Sequence, residues 1–200
     1  MEIKCINFNS AAANCYLVST KDVRIVIDPF TYDSRIKEFF TANCEKYVFL
    51  THCHFDHILG AKRISEEFGA KIAIGKLDAK GLSDPYFSLS EWAGYNQAPF
   101  YADILFENGD VFEVGDTKIR VLHTPGHTEG SVCYIIEDCI FTGDTLFEGT
   151  VGRTDFPTGD FATLKRSLEK LKELDKDYKI YSGHGLVTTL SRERQTNPYL

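Results

Sequence analysis

Thr51-His52-Cys53-His54-Phe55-Asp56-His57 places three imidazoles and a carboxylate within residues 52–57. Imidazole and carboxylate suit zinc and similar divalent ions, and the spacing reads as a His-x-His-x-Asp-His metal site. A single histidine at a strand end is usually an ordinary polar residue satisfied by a backbone hydrogen bond. Three of the chain's six histidines, with an aspartate among them, are poorly explained that way. The preceding run, residues 46–51, is mostly apolar and of strand length. Beyond His57, residues Ile58, Leu59, Ala61, Ile64 and Phe68 trace one helical face, and Gly69 is a plausible stop. The motif therefore occupies a tight connection held at both ends by rigid elements.

Outward from this motif, 200 residues at 43% hydrophobic can bury a substantial core, and the length predicts one domain, 1–200. The net charge of −7, from 22 basic and 29 acidic residues, carries no basic stripe. The densest basic group, Lys165, Arg166, Lys170 and Lys172, lies among acids on an expected helix, so nucleic acid is not an expected partner. Met1 to Cys5 has no apolar run of signal-peptide type, and no stretch is long enough to span a bilayer. A cytoplasmic protein with no membrane partner is expected. Cys5, Cys15, Cys44, Cys53, Cys133 and Cys139 show no Cys-x-x-Cys spacing, and a chain with a real core does not need disulfides, so free thiols are expected. The expected partner is a small-molecule substrate, and the sequence leaves the oligomeric state open.

Residues 3–8 and 15–18 are β-prone runs joined by a hairpin connection over 9–14, and residues 23–27 make a third strand ending at Asp28-Pro29. Asp33-Ser34 is placed to cap a short helix carrying Ile36, Phe39 and Phe40. Residues 71–74 read as another strand. Residues 75–101 have no clean period but carry Tyr86, Phe87, Trp92, Tyr95, Phe100 and Tyr101. They read either as an irregular surface segment packed by its own aromatics or as a lid or wall of a substrate cleft. Strands are expected again over 111–114, 118–122, 131–136, 139–142 and 180–181. Asp160 is placed to cap a helix with Phe161, Leu164, Leu168 and Leu171 on one face. Two halves, 1–75 and 103–185, each with several strands followed by helix, predict two sheets packed face to face with helices outside.

Three further stations follow expected strands. They are Thr124-Pro125-Gly126-His127-Thr128, Gly143-Asp144 and Gly183-His184-Gly185. Taken alone, Asp144 is a common turn aspartate and His184 an exposed loop residue. Together with the first motif they supply seven potential ligands, enough for two ions that share one carboxylate. Asp28 and Thr51 are candidates for holding the ligands from behind, because metal-binding histidines donate their other N–H to a carboxylate or carbonyl. Cys53, pointing away from His52 and His54 on an extended chain, reads as packing.

These motifs in this order resemble the metallo-β-lactamase superfamily, over nearly the whole chain. Gly152-Arg153-Thr154-Asp155-Phe156-Pro157 and Glu193-Arg194-Gln195-Thr196-Asn197-Pro198 look like the single-domain, glyoxalase II-like hydrolases. The resemblance implies an α/β fold, a four-layer αβ/βα sandwich of two mixed sheets. It assigns His52, His54 and His127 to one metal and Asp56, His57 and His184 to the other, with Asp144 and a water or hydroxide bridging them. Asp56 and Asp144 would then serve catalysis through that hydroxide. Two divalent ions are implied, with zinc the leading candidate and iron or manganese the alternatives. His123 has no place in this scheme.

Such a centre hydrolyses carbonyl substrates. No spare histidine is obviously placed to protonate a leaving group, so a thiolate, whose conjugate acid has a pKa of about 8.5, is favoured over an amine. The resemblance points likewise to hydroxyacyl-glutathione thioesters such as S-lactoylglutathione. But 1–200 departs from the two-domain glyoxalase II pattern, and the C-terminal helical domain that supplies glutathione contacts there is not expected here. Arg153 falls where such enzymes carry a basic glutathione contact and is a candidate substrate-binding residue; a local ion pair with Asp155 is the plain alternative. Asp155 stands near where an aromatic contact belongs. Competing readings are a persulfide dioxygenase with one iron, a lactonase or β-lactamase, and a non-catalytic metal-binding module. A flavodiiron type is disfavoured because His54 stands where that pattern has glutamate.

Overall fold

Alternation of side chains along the strands sorts the apolar residues into three clusters and so sets the layering. The structure, a computed structural model, describes residues 1–7 and 12–200. In β3 (Val23–Ile27) and β4 (Glu45–Leu50), residues Val26, Val48 and Leu50 enter one cluster, and Ile25, Ile27, Tyr47 and Phe49 enter another. The second cluster lies between two sheets, since Val121, Tyr134, Ile136 and Phe141 reach it from the other side. Most of its rings meet tilted or edge to face, with centroids of Phe49 and Tyr134 5.0 Å apart and of Phe49 and Phe106 5.5 Å apart, while Phe141 and Tyr181 stack at 5.2 Å. Aromatic quadrupoles favour the edge-to-face arrangement over a face-to-face sandwich.

The first sheet has the order β1-β2-β3-β4-β5-β6. It comprises β1 (Glu2–Ile6), β2 (Cys15–Ser19), β3, β4, β5 (Lys71–Gly75) and β6 (Ile104–Phe106). Pairing is antiparallel from β1 to β3 and parallel from β3 to β6. The second sheet uses β7 (Val111–Val114), β8 (Thr117–His123), β9 (Val132–Ile136), β10 (Cys139–Gly143), β13 (Lys179–Ser182) and β14 (Thr188–Thr189), in the order β14-β13-β10-β9-β8-β7. Between β10 and β13 sits a small hairpin of β11 (Leu146–Phe147) and β12 (Thr150–Val151).

Helices cover the outer faces. Ile36 of α1 (Ser34–Phe39) and Ile64 of α3 (Ala61–Phe68) pack on the first sheet. Leu164, Leu168 and Leu171 of α4 (Phe161–Lys172) pack with Leu190 of α5 (Leu190–Thr196) on Ile135, Ile140 and Ile180 of the second. The result is the expected four-layer αβ/βα sandwich with mixed sheets. Asp33 and Asp160 cap α1 and α4, accepting from the Arg35 and Thr163 backbone N–H groups.

Several expectations need correction. The single helix expected after His57 is two, α2 (Phe55–Ile58) and α3, broken at Leu59-Gly60, where the Gly60 N–H turns to the Pro29 carbonyl at 2.9 Å. The division into halves at 75 and 103 is displaced, because β6 pairs in parallel with β5 and completes the first sheet. Residues 76–82, expected to lack regular structure, form a 3-10 helix (Lys76–Leu82). The connection expected over 9–14 and the end of the strand expected over 3–8 lie partly outside the described residues.

Candidate metal centre

Four strand ends converge at one edge of the sandwich. β8 and β10 both run antiparallel to β9, and β10 runs parallel to β13, so β8, β10 and β13 point the same way. The segments after them carry His127, Asp144 and His184, and the segment after β4 carries His52, His54, Asp56 and His57. The two sheets are tied together here: the Tyr134 hydroxyl donates to the Leu50 carbonyl at 2.6 Å, and the Val132 N–H donates to the Thr51 carbonyl at 2.9 Å.

Three ring nitrogens form a small triangle. His52 Nε2 lies 3.1 Å from His54 Nδ1, His54 Nδ1 lies 2.8 Å from His127 Nε2, and His127 Nε2 lies 3.2 Å from His52 Nε2. These separations are compatible with three bonds of about 2.0–2.1 Å to one ion. A second group joins Asp56, His57 and His184, with His184 Nε2 3.2 Å and His57 Nε2 3.6 Å from Asp56 Oδ2. Asp144 stands between them. Its Oδ1 lies 3.4 Å from His57 Nε2, and its Oδ2 lies 3.5 Å from His127 Nε2 and 3.7 Å from His184 Nε2. All seven residues singled out in the sequence are thus brought together.

The surrounding hydrogen bonds fix which nitrogens face inward as acceptors. Asp28 accepts the Thr51 N–H at 2.8 Å on Oδ1 and the Thr51 hydroxyl at 2.7 Å on Oδ2. With its proton committed, the Thr51 oxygen can only accept from His52 Nδ1 at 3.1 Å, which leaves His52 Nε2 a lone pair. Asp28 also takes His57 Nδ1 at 2.9 Å, and the Arg153 carbonyl takes His127 Nδ1 at 2.6 Å. His57 Nε2 and His127 Nε2 therefore present lone pairs to the centre. Buried polar atoms normally have partners, yet His57 Nε2 and Asp144 Oδ1 have no hydrogen bond, and neither does His54 Nε2. The first two aim at the space between the donor groups, as a divalent cation requires. The residues present fit such an ion.

Electrostatics divide the donors: His52 and His54 favour the neutral form, whereas His57 favours a proton that an incoming cation would displace. Burial, with the neighbouring imidazoles His57 and His127, pushes His52 well below the ordinary histidine value. Burial and His127 bring His54 down to about 3. Both are neutral ligands at neutral pH. Burial opposes charge on His57 too, but Asp56, Asp144 and Asp28 outweigh it and raise that pKa well above the usual value. Asp144, despite burial, is held down by His57, His127 and His184.

Sequence reasoning missed Asp78. This buried carboxylate in the 3-10 helix accepts the Cys53 N–H at 2.9 Å, the Gly130 N–H at 2.8 Å and the Thr128 hydroxyl at 2.7 Å. It pins the His52–His54 segment to the His127 loop. The Cys53 thiol is buried on the opposite side from the donors, toward the Phe87 carbonyl. His123 lies apart, 2.8 Å from the Glu129 carbonyl through Nε2. The Arg153 guanidinium pairs with Asp155, 2.7 Å at both Nε and Nη2, and lies 4.0 Å over the Phe156 ring. The local ion pair is thus what the structure has. What Arg153 gives to the centre is its backbone carbonyl.

The family description "Metallo-beta-lactamase superfamily" matches residues 11–184. The hydroxyacylglutathione hydrolase GloC of Haemophilus influenzae is 34% identical over 100% of this chain and 98% of its own length. Among solved structures, the BLEG-1 B3 metallo-beta-lactamase superposes with a TM-score of 0.91 at 30% identity, covering 100% of this chain and 99% of its own. The di-iron-bound form of TTHA1623 gives 0.85 at 30% identity, covering 98% and 100%. Sandwich topology, the four converging stations and these likenesses lead to one conclusion: the chain belongs to the metallo-beta-lactamase superfamily.

Proposed function

We propose that this protein is a dinuclear metallohydrolase acting on thioesters, with S-lactoylglutathione the first substrate to test. The observation that carries the reading is Asp144, whose two carboxylate oxygens face separate donor groups, Oδ1 toward His57 and Oδ2 toward His127 and His184. In this reading His52, His54 and His127 hold one ion, Asp56, His57 and His184 the other, and Asp144 serves both. The donor set accepts zinc, iron or manganese. When bound, such ions polarise a carbonyl and acidify water near neutral pH.

The chain's own residues do the rest. Asp28 and Thr51 hold His57 and His52 in the tautomers that leave Nε2 free. Asp56, partly exposed at the mouth and 3.2 Å from His184, orients the attacking water. Five of the six histidines are taken as donors, and His123 is bonded to Glu129 away from the centre. None is left to protonate an amine as it departs, which favours a leaving group such as thiolate that departs unprotonated. The likeness to GloC, a hydroxyacylglutathione hydrolase, supports the same class.

A second reading, hydrolysis of β-lactams on the same machinery, has the likeness to BLEG-1 in its favour. Assay of S-lactoylglutathione, other thioesters, a lactone and a β-lactam, before and after chelation, separates the two. Thioester hydrolysis that chelator abolishes and added zinc, manganese or ferrous iron restores is the expected result. Turnover of the β-lactam with none of the thioesters would overturn the proposal.

A further inference from the structure

The segment between the 3-10 helix and β6 turns aromatic surface outward beside the centre. Tyr86 is 61% and Trp92 76% exposed, an unusual degree for such large side chains. They border a cleft of about 400 Å³ with Leu89 and Pro85 on one side and Phe156 and Pro157 on the other. The cleft adjoins the donors: Trp92 meets the edge of Phe156 at 6.1 Å between centroids, and Phe156 meets His54 at 5.7 Å. The wall is tethered, since the Ser88 carbonyl accepts the Phe55 N–H at 2.8 Å, and Gln97 Nε2 donates to the Gly81 and Leu82 carbonyls at 2.8 and 2.9 Å.

Charge narrows the occupant. Among the residues lining the cleft, Glu91 is the one ionised group and none is cationic. Nearby Arg153 is engaged by Asp155. Biological thiol carriers such as glutathione are polar and carry carboxylate or phosphate, which this wall would repel. The part of a thioester that suits it is the acyl group.

We propose that this cleft binds an apolar acyl group of the substrate, next to the reacting carbonyl, so that apolar acyl thioesters are preferred over small polar ones. The proposal rests on the hydrolase reading above. An apolar ring placed against Trp92 and Phe156 is worth roughly 10- to 100-fold in selectivity, the range that apolar pockets achieve.

Trp92 is the chain's single tryptophan, so its emission reports on the cleft directly. The test titrates the metal-loaded protein with phenylacetate and with acetate, which share a carboxylate and differ in apolar surface. In parallel it compares kcat/KM for the phenylacetyl and lactoyl thioesters of N-acetylcysteamine. Phenylacetate should shift Trp92 emission and bind at least tenfold more tightly than acetate. Phe156→Ala, and separately the exposed position Tyr86→Ala, should each shrink both preferences at least threefold with metal content retained. Equal binding of the two acids, an unmoved emission, or preferences unchanged in both variants would overturn the proposal. Selective phenylacetate binding without hydrolysis of any thioester would support the cleft and overturn the hydrolase reading instead.

Discussion

Cys53 sits between two of the inward-facing histidines, and its backbone N–H is held 2.9 Å from Asp78 Oδ2, a carboxylate 25 residues away. Because Asp78 also holds Gly130 and Thr128, one side chain sets the distance between the His52–His54 segment and the His127 loop. Asp78→Ala leaves the buried Cys53 and Gly130 N–H groups without that acceptor, at about 1–3 kcal/mol for an orphaned group. The fold should lose about 2–4 kcal/mol by denaturant titration. Zinc affinity should fall about 10- to 100-fold, as it does when groups behind metal ligands are removed. Wild-type zinc affinity in this variant would contradict the role.

Gly183 passes so close to the centre that a Cβ there would lie 2.2 Å from Asp144 Oδ1 and 2.8 Å from His57 Cε1. Gly183→Ala must therefore push Asp144 out of position. We expect at least a tenfold loss of metal affinity with secondary structure unchanged by circular dichroism. Full occupancy with two ions in the variant would show that Asp144 is not needed where it stands.

Removal of metal should reverse the protein's response to alkali. In the metal-free chain burial opposes charge on His57, but Asp56, Asp144 and Asp28 raise its pKa well above normal. His184, against burial, is raised by its bond to Asp56 and by Asp144. A raised histidine contributes stability that is complete below its unfolded pKa of about 6.5 and is lost as pH climbs through the folded value. Asp56 and Asp144 are depressed, burial notwithstanding, by their histidine neighbours. Their contribution is present above about pH 3.9 and lost as pH falls through the folded values. His52 and His54, buried and depressed, add stability that is present above about pH 6.5 and lost as pH falls. Metal-free protein should therefore melt highest at about pH 6.5 and lower toward both pH 5 and pH 9. Metal-loaded protein, with ions in place of those protons, should show no such alkaline decline. A metal-free Tm that rises from pH 6.5 to 9 would contradict this.

The candidate donor cluster was legible because its first four members lie in one short run and the others follow strands bounded by glycine or proline. The layering was legible from strands whose alternate residues, such as Val26 and Val48 against Ile25 and Tyr47, serve two cores. Asp78 was not. A lone aspartate past a strand looks like a turn residue, and its partners at Cys53, Thr128 and Gly130 are distant in sequence. The three-residue β6 is too short for any period to register. Helix α5 has no apolar face to give it away. It is fixed by the buried Glu193 carboxylate, which accepts from the Gly149 N–H at 2.8 Å, the Thr188 hydroxyl at 2.6 Å and the Asn197 amide at 2.9 Å.

In the proposed function Asp144 joins two ion sites in one hydrolytic centre. Metal content per chain, measured with thioester hydrolysis for the wild type and Asp144→Ala, tests it most directly. Two ions per wild-type chain are expected, with metal and hydrolysis falling together in the variant. One iron per chain with dioxygen consumption on a persulfide, or hydrolysis that survives Asp144→Ala, would contradict it.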